Sequence, residues 1–151
     1  MKSRTRARSI ALQVLFEVDM TDHLPELVLE QRLAELSPDG SEFLSPDLVD
    51  FTRQIIFGII PIAEKMDQVI AEYAPEWPFE QIAAIDRNIL RIATWEFAVS
   101  SITPLKVAIN EAVELAKTFG SESTPRFING VLGSLADREK DIRNQLKPGA
   151  I

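Results

Sequence analysis

The sequence contains no cysteine and only one histidine, so several kinds of chemistry have no residues to perform them. Without thiols there are no disulfides, no thiolate nucleophiles and no cysteine metal sites. This composition fits a reducing cytoplasm. His23 lies beside a loop proline and has no second metal ligand close to it in sequence. We therefore expect neither a metal nor a cofactor.

Long apolar runs are also missing. The longest, IIFGIIPI from Ile55 to Ile62, is far shorter than the roughly 20 residues that a membrane-spanning helix needs. The N-terminus lacks the apolar segment of a signal peptide. No segment alternates between polar and apolar residues for more than a few positions, so strands are not expected. We predict a cytoplasmic, all-α protein without membrane contact, folded as one domain over residues 1–151.

Motifs for catalysis are not found either. The six glycines are scattered and form no phosphate-binding loop. Serine and threonine lie mostly at expected helix caps, and no nucleophile motif surrounds them. The many acidic residues fall on predicted helix surfaces, where they are ordinarily solvated. These absences favour a binding protein over an enzyme.

Charge is distributed unevenly along the chain. The net charge is −7, yet residues 1–8 carry four basic side chains and no acidic one. The remaining residues carry 12 basic and 23 acidic side chains, a net charge of −11. A polyanion would be attracted to this basic arm and repelled by the body. Two interpretations stay open: a frayed, solvated terminus, or an end that meets phosphates.

Apolar residues recur at helical spacing through most of the chain. Pro61 removes one backbone hydrogen bond from the longest segment, so we expect a kink or break near Gly58 to Pro61. The segment Ser37 to Ser45 is predicted to be a loop, and the charged tail over residues 138–151 a frayed helix. The predicted helices cover Arg4–Met20, Pro25–Leu36 (with Leu27, Val28, Leu33 and Leu36 inward), Ser45–Tyr73, Asp86–Val99 and two more within Thr103–Ala136.

The stretch Thr103 to Ala136 contains two clear helix starts. Thr103 is predicted to cap a helix that has Pro104 at its first position, and Thr124 with Pro125 repeats the pattern. Gly120 stands where a left-handed residue commonly ends a helix. The loop between the two helices is short, so we expect them to pack against each other.

Four residues of this stretch need a further explanation. Gly130 and Gly133 lie inside the second helix, where each costs about 1 kcal/mol relative to alanine. We expect one of them to lie at a close contact. Asn110 and Asn129 lie at the edges of the two apolar faces. Either they satisfy buried backbone groups, or one of them faces a partner.

Three segments together resemble the NusB family of transcription antitermination factors. The pieces AINEAVELAKTFG and RFINGVLG are similar to the C-terminal signature of that family. IDRNILRIATWEF, from Ile85 to Phe97, is similar to its central helix, and RARSIALQVLFEVD, from Arg6 to Asp19, to its first helix. The segments occur in the family's order and at its spacing. The resemblance implies an all-α, compact bundle of about seven helices.

The resemblance also implies a function. NusB-like proteins bind a short single-stranded RNA element, boxA, as a heterodimer with a small-subunit ribosomal protein, also called NusE. The complex joins elongating RNA polymerase and suppresses termination in ribosomal RNA transcription. Some members form homodimers, which leaves self-association open. By position, the family's RNA contacts fall on Arg4, Arg6, Arg8, Gln13, Arg126 and Phe127, and its ribosomal-protein surface falls on Phe16, Glu80 and Asp86.

The residue types suit these roles. Arginine neutralises phosphate, glutamine can pair with a base edge, and an exposed phenylalanine can stack on an unpaired base. The sequence departs from the family in two places: Thr5 interrupts the arginine run, and Glu122 is the one acid between Ser121 and Thr124. Two alternatives remain: a free RNA-binding subunit of an RNA-modifying enzyme, and a helical adaptor that binds protein alone.

Overall fold

The computed structural model describes residues 2–36 and 43–147, and these residues form α-helices joined by short turns. Most of the predicted loop over Ser37 to Ser45, and the tail from Pro148 onward, lie outside the described residues. The α-helices are α1 (Ser3–Met20), α2 (Pro25–Ala34), α3 (Pro46–Ile59), α4 (Ala63–Tyr73), α5 (Ala84–Thr94), α6 (Leu105–Phe119), α7 (Thr124–Ala136) and α8 (Glu139–Leu146).

The predicted all-α class is confirmed, since no strand occurs in the described ranges. The eight α-helices there compare with the seven or so that the resemblance implied. The additional helix is α8, which the sequence had suggested was a frayed tail. It is anchored because Ile142 and Leu146 are buried in the common core. Arg143 also donates from Nε to the carbonyl of Phe97 at 3.0 Å.

The long third segment breaks where proline predicted it. Helix α3 ends at Ile59, a 3₁₀ turn covers Ile60–Ile62, and α4 starts at Ala63. Pro61 lies inside that turn, where its missing N–H disrupts the α-helical ladder. This confirms the predicted break between α3 and α4.

Helix α1 lies at the centre of the N-terminal half and packs against α2, α3 and α5, while α5, α6 and α7 follow as successive neighbours. The predicted α6–α7 pairing is therefore confirmed. The predicted inward face of α2 is partly wrong, because Leu27 is 59% exposed while Val28 and Leu29 are buried. Apolar side chains from all eight helices join one core cluster.

A π-helical segment, Trp95–Ser100, continues α5. Such insertions change the rotation of the helix and often occur at functional sites. The segment turns Glu96 inward, leaving it 1% exposed. The segment is followed directly by Ser101, which has the left-handed φ of 58°. A strict 3.6-residue period does not predict this arrangement.

The predicted N-caps at Thr103 and Thr124 are wrong, whereas Gly120 does end α6 but in a different conformation from the one predicted. Thr103 makes no capping hydrogen bond; it is buried and donates from Oγ1 to Glu96 Oε1 at 2.8 Å. Gly120 is extended, with φ −93°, and is not left-handed. A Cβ at Gly120 would lie 2.5 Å from the side chain of Thr124. Glycine is therefore required there by close approach, not by backbone conformation.

The close-contact prediction for helix α7 is confirmed at one of its two glycines. A Cβ on Gly130 would lie 3.2 Å from the indole of Trp77. Gly133 is exposed, and a Cβ there would meet nothing within 4 Å. Packing within the described chain explains the first glycine and leaves the second unexplained.

None of the helices in the described ranges combines the length and the apolar character needed to cross a membrane.

Candidate functional site

The basic arm is an ordered part of α1. The helix already begins at Ser3, and Thr5 and Ala7 are buried. The Arg4 guanidinium lies 4.6 Å from the centre of the Phe51 ring. Arg6 donates from Nη2 to the carbonyl of Phe43 at 3.4 Å. The interpretation as a frayed terminus is therefore wrong, and α3 holds the arm in place.

Arg8 lies on the opposite, inner side of this arm and is only 3% exposed. Its Nε and Nη2 donate to the two carboxylate oxygens of Glu96 at 2.8 and 2.7 Å. Its Nη1 donates to Glu111 Oε1 at 2.7 Å. A guanidinium held in this way cannot also reach a phosphate in solution. The structure corrects the expected role of Arg8 from phosphate contact to support of the arm.

The two carboxylates that hold Arg8 come from different parts of the chain. Glu96 lies in the π-helical segment and also accepts from Thr103, while Glu111 on α6 also accepts from Thr5 at 2.6 Å. Burial alone would lower the pKa of the Arg8 guanidinium, but the hydrogen bonds and charges of both carboxylates outweigh it and raise that pKa. The network fixes the start of α1 against α5 and α6.

Gln13 lies one turn and a half beyond Arg8 and is half-buried. Its Nε2 donates to the carbonyl of Ser9 at 3.2 Å, and its Oε1 accepts from Arg32 at 3.1 Å. An amide has two N–H donors and two acceptor lone pairs. One of each therefore remains for another ligand.

At the other end of the predicted RNA surface, α7 starts with a compact turn. Thr124 Oγ1 accepts from the backbone N–H of Ser121 at 2.9 Å. Arg126 is exposed in the first turn of α7. Phe127 is half-buried and meets Trp77 edge to face, with ring centres 6.4 Å apart and planes at 79°. This contact fixes the ring while part of it stays accessible.

Asn110 and Asn129 are both exposed and line one groove between α6 and α7. The interpretation that they satisfy buried backbone groups is therefore wrong. Lys2 and Thr5 of the arm line the same groove, as do Lys117 and Thr118 of α6. Sequence periodicity placed the asparagines at the edges of apolar faces but could not show that two helix edges meet.

The three residues predicted to face a ribosomal protein lie on separate elements. Phe16 is half-buried on α1, Glu80 is exposed in the 3₁₀ turn Phe79–Gln81, and Asp86 is half-buried in the first turn of α5. Burial raises the pKa of the Asp86 carboxyl, and a hydrogen bond from Thr124 opposes this only in part. Asp86 is thus a carboxylate whose ionised form is disfavoured by its surroundings.

Ion pairs between α1, α4 and α5 were missed at the level of sequence. Arg91 donates to both carboxylate oxygens of Asp67, at 2.8 and 2.6 Å, and Arg87 donates to Asp19 at 2.6 Å. Burial raises the pKa of Asp19, but the nearby arginines outweigh it and lower that pKa. No local signal pairs residues so far apart in sequence, although a charged residue inside an apolar helix, such as Arg91, indicates a buried partner.

His23 does not lie in a metal-type cluster. Its Nδ1 is hydrogen-bonded to Glu17 Oε2 at 2.8 Å. Within residues 2–36 and 43–147, no group of three or more histidine, cysteine or acidic side chains is placed to hold a metal ion.

A sequence model of the NusB family matches residues 5–137. The chain belongs to the NusB family. It is 46% identical to the transcription antitermination protein NusB of Roseiflexus sp. (strain RS-1) over 144 residues, which cover 93% of this chain and 96% of that protein. It is 45% identical to the NusB of Chloroflexus aggregans over 137 residues, covering 89% and 87% of the two chains.

Solved structures agree with this NusB assignment. T. maritima NusB superimposes with a TM-score of 0.78 at 30% identity, covering 94% of this chain and 98% of that one. A NusB solved with NusE and double-stranded RNA also has a TM-score of 0.78, at 20% identity, covering 91% and 98%. The second likeness supports the fold alone. The three NusB-like sequence segments correspond to α1, α5 and the α6–α7 pair, and consecutive members of this series pack together.

Proposed function

We propose that this protein is a transcription antitermination factor. It binds boxA-type single-stranded RNA together with the small-subunit ribosomal protein NusE, and it joins the elongating RNA polymerase complex during ribosomal RNA transcription. The observation that carries this proposal is the 46% identity to a transcription antitermination protein over nearly the whole chain. The protein acts by binding in the cytoplasm, without catalysis and without a cofactor.

The phosphate contacts of this proposal come from cations that have no carboxylate partner. Arg4 at the start of α1 and Arg126 at the start of α7 are exposed and Arg6 is half-buried, and none of the three forms an ion pair within the described residues. The body of the chain is acidic, so attraction of RNA is confined to these positions. Arg8 supports the arm from the inside and is not a phosphate ligand.

Selectivity for RNA sequence comes from Gln13 and Phe127. The free N–H and lone pair of the Gln13 amide can pair with a base edge. The accessible part of the Phe127 ring can stack on an unpaired base, which is a common way for proteins to hold single-stranded RNA. Trp77 holds that ring edge-on, so little ordering is needed when RNA binds.

The proposed surface for the ribosomal protein consists of Phe16, Glu80 and Asp86. A half-buried aromatic residue with nearby acids suits a basic partner. Burial raises the pKa of the Asp86 carboxyl, so the fold of the free protein disfavours its ionised form. An acidic side chain at this position lowers the stability of the free protein. Its presence is explained if a cationic side chain of the partner compensates its charge in the heterodimer.

Asp86→Asn is expected to stabilise the free protein and weaken the heterodimer. Burial makes the folded state keep the Asp86 proton to a higher pH than the unfolded chain does. The free energy of unfolding of wild type therefore falls as pH rises from the ordinary carboxyl value of 3.8 through the raised folded value. The variant lacks this fall. Its free energy of unfolding should therefore exceed that of wild type at pH 7, and the difference should disappear below pH 3.8.

Two measurements check this expectation: chemical unfolding between acidic and neutral pH, and calorimetric titration with the ribosomal partner. Asp86→Lys should weaken the heterodimer further than Asp86→Asn by charge reversal, and Asp47→Asn, at an exposed position in the first turn of α3, is the matched control. If wild type and Asp86→Lys form the heterodimer with equal affinity and the fold is intact, Asp86 is not part of the surface that binds the partner.

A salt titration tests the proposed function itself. With about three phosphate contacts, the logarithm of affinity for a boxA-type RNA should fall against the logarithm of salt concentration with a slope near −2. The double variant Arg4→Ala/Arg6→Ala should bind weakly to all RNAs and have a slope near −0.7. Lys140→Ala/Lys147→Ala, which removes the same charge in α8 and directly after it, should keep the wild-type slope.

Each protein is measured as a heterodimer with the ribosomal partner. If wild type forms the heterodimer yet binds no RNA at low salt, the antitermination proposal is wrong and a protein-only adaptor is favoured. If the arm variant keeps the wild-type slope, the arm is not the phosphate site.

A further inference from the structure

A groove of about 690 Å³ lies between the first turn of α1, α6 and the outer side of α7. Its lining includes Lys2, Thr5, Asn110, Glu111, Lys117 and Asn129. The volume falls within the range of sites that bind small molecules, and a nucleobase is small enough to enter it. None of its lining residues belongs to the RNA contacts proposed above.

Two amides define the polar character of this groove. Asn110 and Asn129 are exposed, and neither side chain forms a hydrogen bond with another described residue. Each amide offers two donors and an acceptor oxygen. Asparagine pairs with the edges of nucleobases through this donor and acceptor set. The two helix edges therefore bring together two unengaged groups that can recognise a base.

The acids in the groove do not repel a nucleic acid as strongly as their number suggests. Glu111 Oε1 already accepts from Thr5 and from the buried Arg8 guanidinium. Glu114 is paired with Lys117 at 3.2 Å. Lys2, at the end of the groove formed by α1, is exposed and can meet a phosphate.

Gly133 gives an independent indication of a ligand on this side of α7. It lies one helical turn after Asn129, and both residues are exposed, so they share one face. Glycine is unfavourable inside a helix, and, apart from its chain neighbours and the backbone of its own helix, no atom of the described residues lies within 4 Å of where its Cβ would be. Bare backbone at this position permits a group from another molecule to approach closely.

The position of the groove connects the two ends of the proposed RNA surface. Lys2 and Thr5 belong to the basic arm, whereas Lys117 and Thr118 lie at the end of α6. The short loop after α6 leads directly to Arg126. The groove thus extends from the arm to the end of α6 that precedes Arg126, and an RNA strand that follows it can contact both.

We propose that this groove accepts one unpaired base of the bound RNA. Asn110 and Asn129 pair with the edge of that base, Lys2 holds an adjacent phosphate, and the strand passes over the backbone at Gly133. The inference rests on the proposed RNA-binding function and extends it by a base-recognition site.

The test is an abasic scan of a boxA-type single-stranded RNA, in which each nucleotide in turn loses its base. Affinity is measured for the full chain in complex with the ribosomal partner. For wild type, one position outside the Phe127 contact should lose about tenfold on base removal. For Asn110→Ala/Asn129→Ala, that position alone should lose its sensitivity, while the remaining profile and the salt slope are unchanged. Asn144→Ala, an exposed asparagine on α8, should reproduce the wild-type profile.

Gly133→Ala supplies a second measurement whose two effects have opposite signs. Alanine should raise the melting temperature of the free protein because it favours the helix. It should also weaken RNA binding, because the added methyl group obstructs the strand. A purely structural role for this face would not separate the two effects.

The outcomes distinguish the groove from the function on which it rests. An unchanged abasic profile in Asn110→Ala/Asn129→Ala, with RNA bound normally, overturns the groove and leaves the antitermination proposal in place. If Gly133→Ala is more stable than wild type and binds RNA with full affinity, the RNA strand does not approach the backbone of α7 at this position. A wild-type heterodimer that binds no RNA overturns both proposals together.

Discussion

Replacing Arg8 with methionine is expected to lower the free energy of unfolding by about 3–5 kcal/mol, the usual effect of removing one partner from a buried ion pair. Methionine has similar length but leaves the Glu96 carboxylate, which is 1% exposed, without its cation. Glu111 loses the same partner but is less buried, so the larger part of the loss should come from Glu96. Urea unfolding of wild type and variant measures the difference.

The matched control is Arg138→Met. Arg138 also pairs with a carboxylate, Asp141 at 2.8 Å, but both side chains are at least half exposed. Exposed pairs contribute about 0–1 kcal/mol, so this variant should unfold close to wild type. A loss at Arg8 no larger than the loss at Arg138 would show that the network does not stabilise the fold.

The same variant tests whether Arg8 supports the arm or contacts RNA. Under conditions in which Arg8→Met remains folded, the salt slope of RNA binding should equal that of wild type, because the Arg8 guanidinium is buried and each of its three nitrogens already donates to a carboxylate. A slope that becomes shallower by about 0.7 would instead identify Arg8 as a phosphate contact. Arg4→Ala, in the exposed part of the arm, provides the comparison.

Phe127→Ala is expected to weaken RNA binding by about 1–3 kcal/mol while keeping the salt slope, since one stacked base is lost and no charge is changed. Because Phe127 also packs against Trp77, the variant should be somewhat less stable. Thermal unfolding and RNA titration of the heterodimer measure the two effects separately.

Two further substitutions identify the cause of any loss. Phe127→Leu keeps an apolar group against Trp77 but removes the aromatic plane, so its RNA affinity should resemble that of Phe127→Ala. Phe57→Ala removes an exposed aromatic ring from α3 and should leave RNA binding unchanged. Wild-type RNA affinity in Phe127→Leu would assign the ring a packing role and would falsify the stacking contact.

Arg8 shows how much a helical sequence pattern reveals about the burial of a side chain. The sequence grouped Arg8 with Arg4 and Arg6 because all three are basic and close together. Yet Arg8 precedes Leu12 by four residues and Leu15 by seven, so it lies on the same helix face as two buried leucines. That spacing already indicated an inward position. It could not indicate the partners, because Glu96 and Glu111 lie 88 and 103 residues away.

The asparagines illustrate the converse case. The helical period correctly placed them at the edges of two apolar faces, but it left a structural and a binding role open, and only the structure shows that both side chains are exposed. Whether the edge of a helix is covered depends on how the neighbouring helices pack across it. Here α6 and α7 leave both edges open beside the start of α1.

By itself the sequence determined the helical class, the break at Pro61, the pairing of α6 with α7 and the concentration of positive charge at the N-terminus. These features follow from local causes: the period of apolar residues, the missing N–H of proline, the length of a loop and the count of charges. The tertiary structure alone decided that Arg8 is buried, that Glu96 turns inward through a π-helical segment, that α8 is anchored and that one groove joins the arm to α7. Each of these features depends on contacts between residues that are far apart in sequence. The free energy of such contacts cannot be inferred from a local sequence pattern.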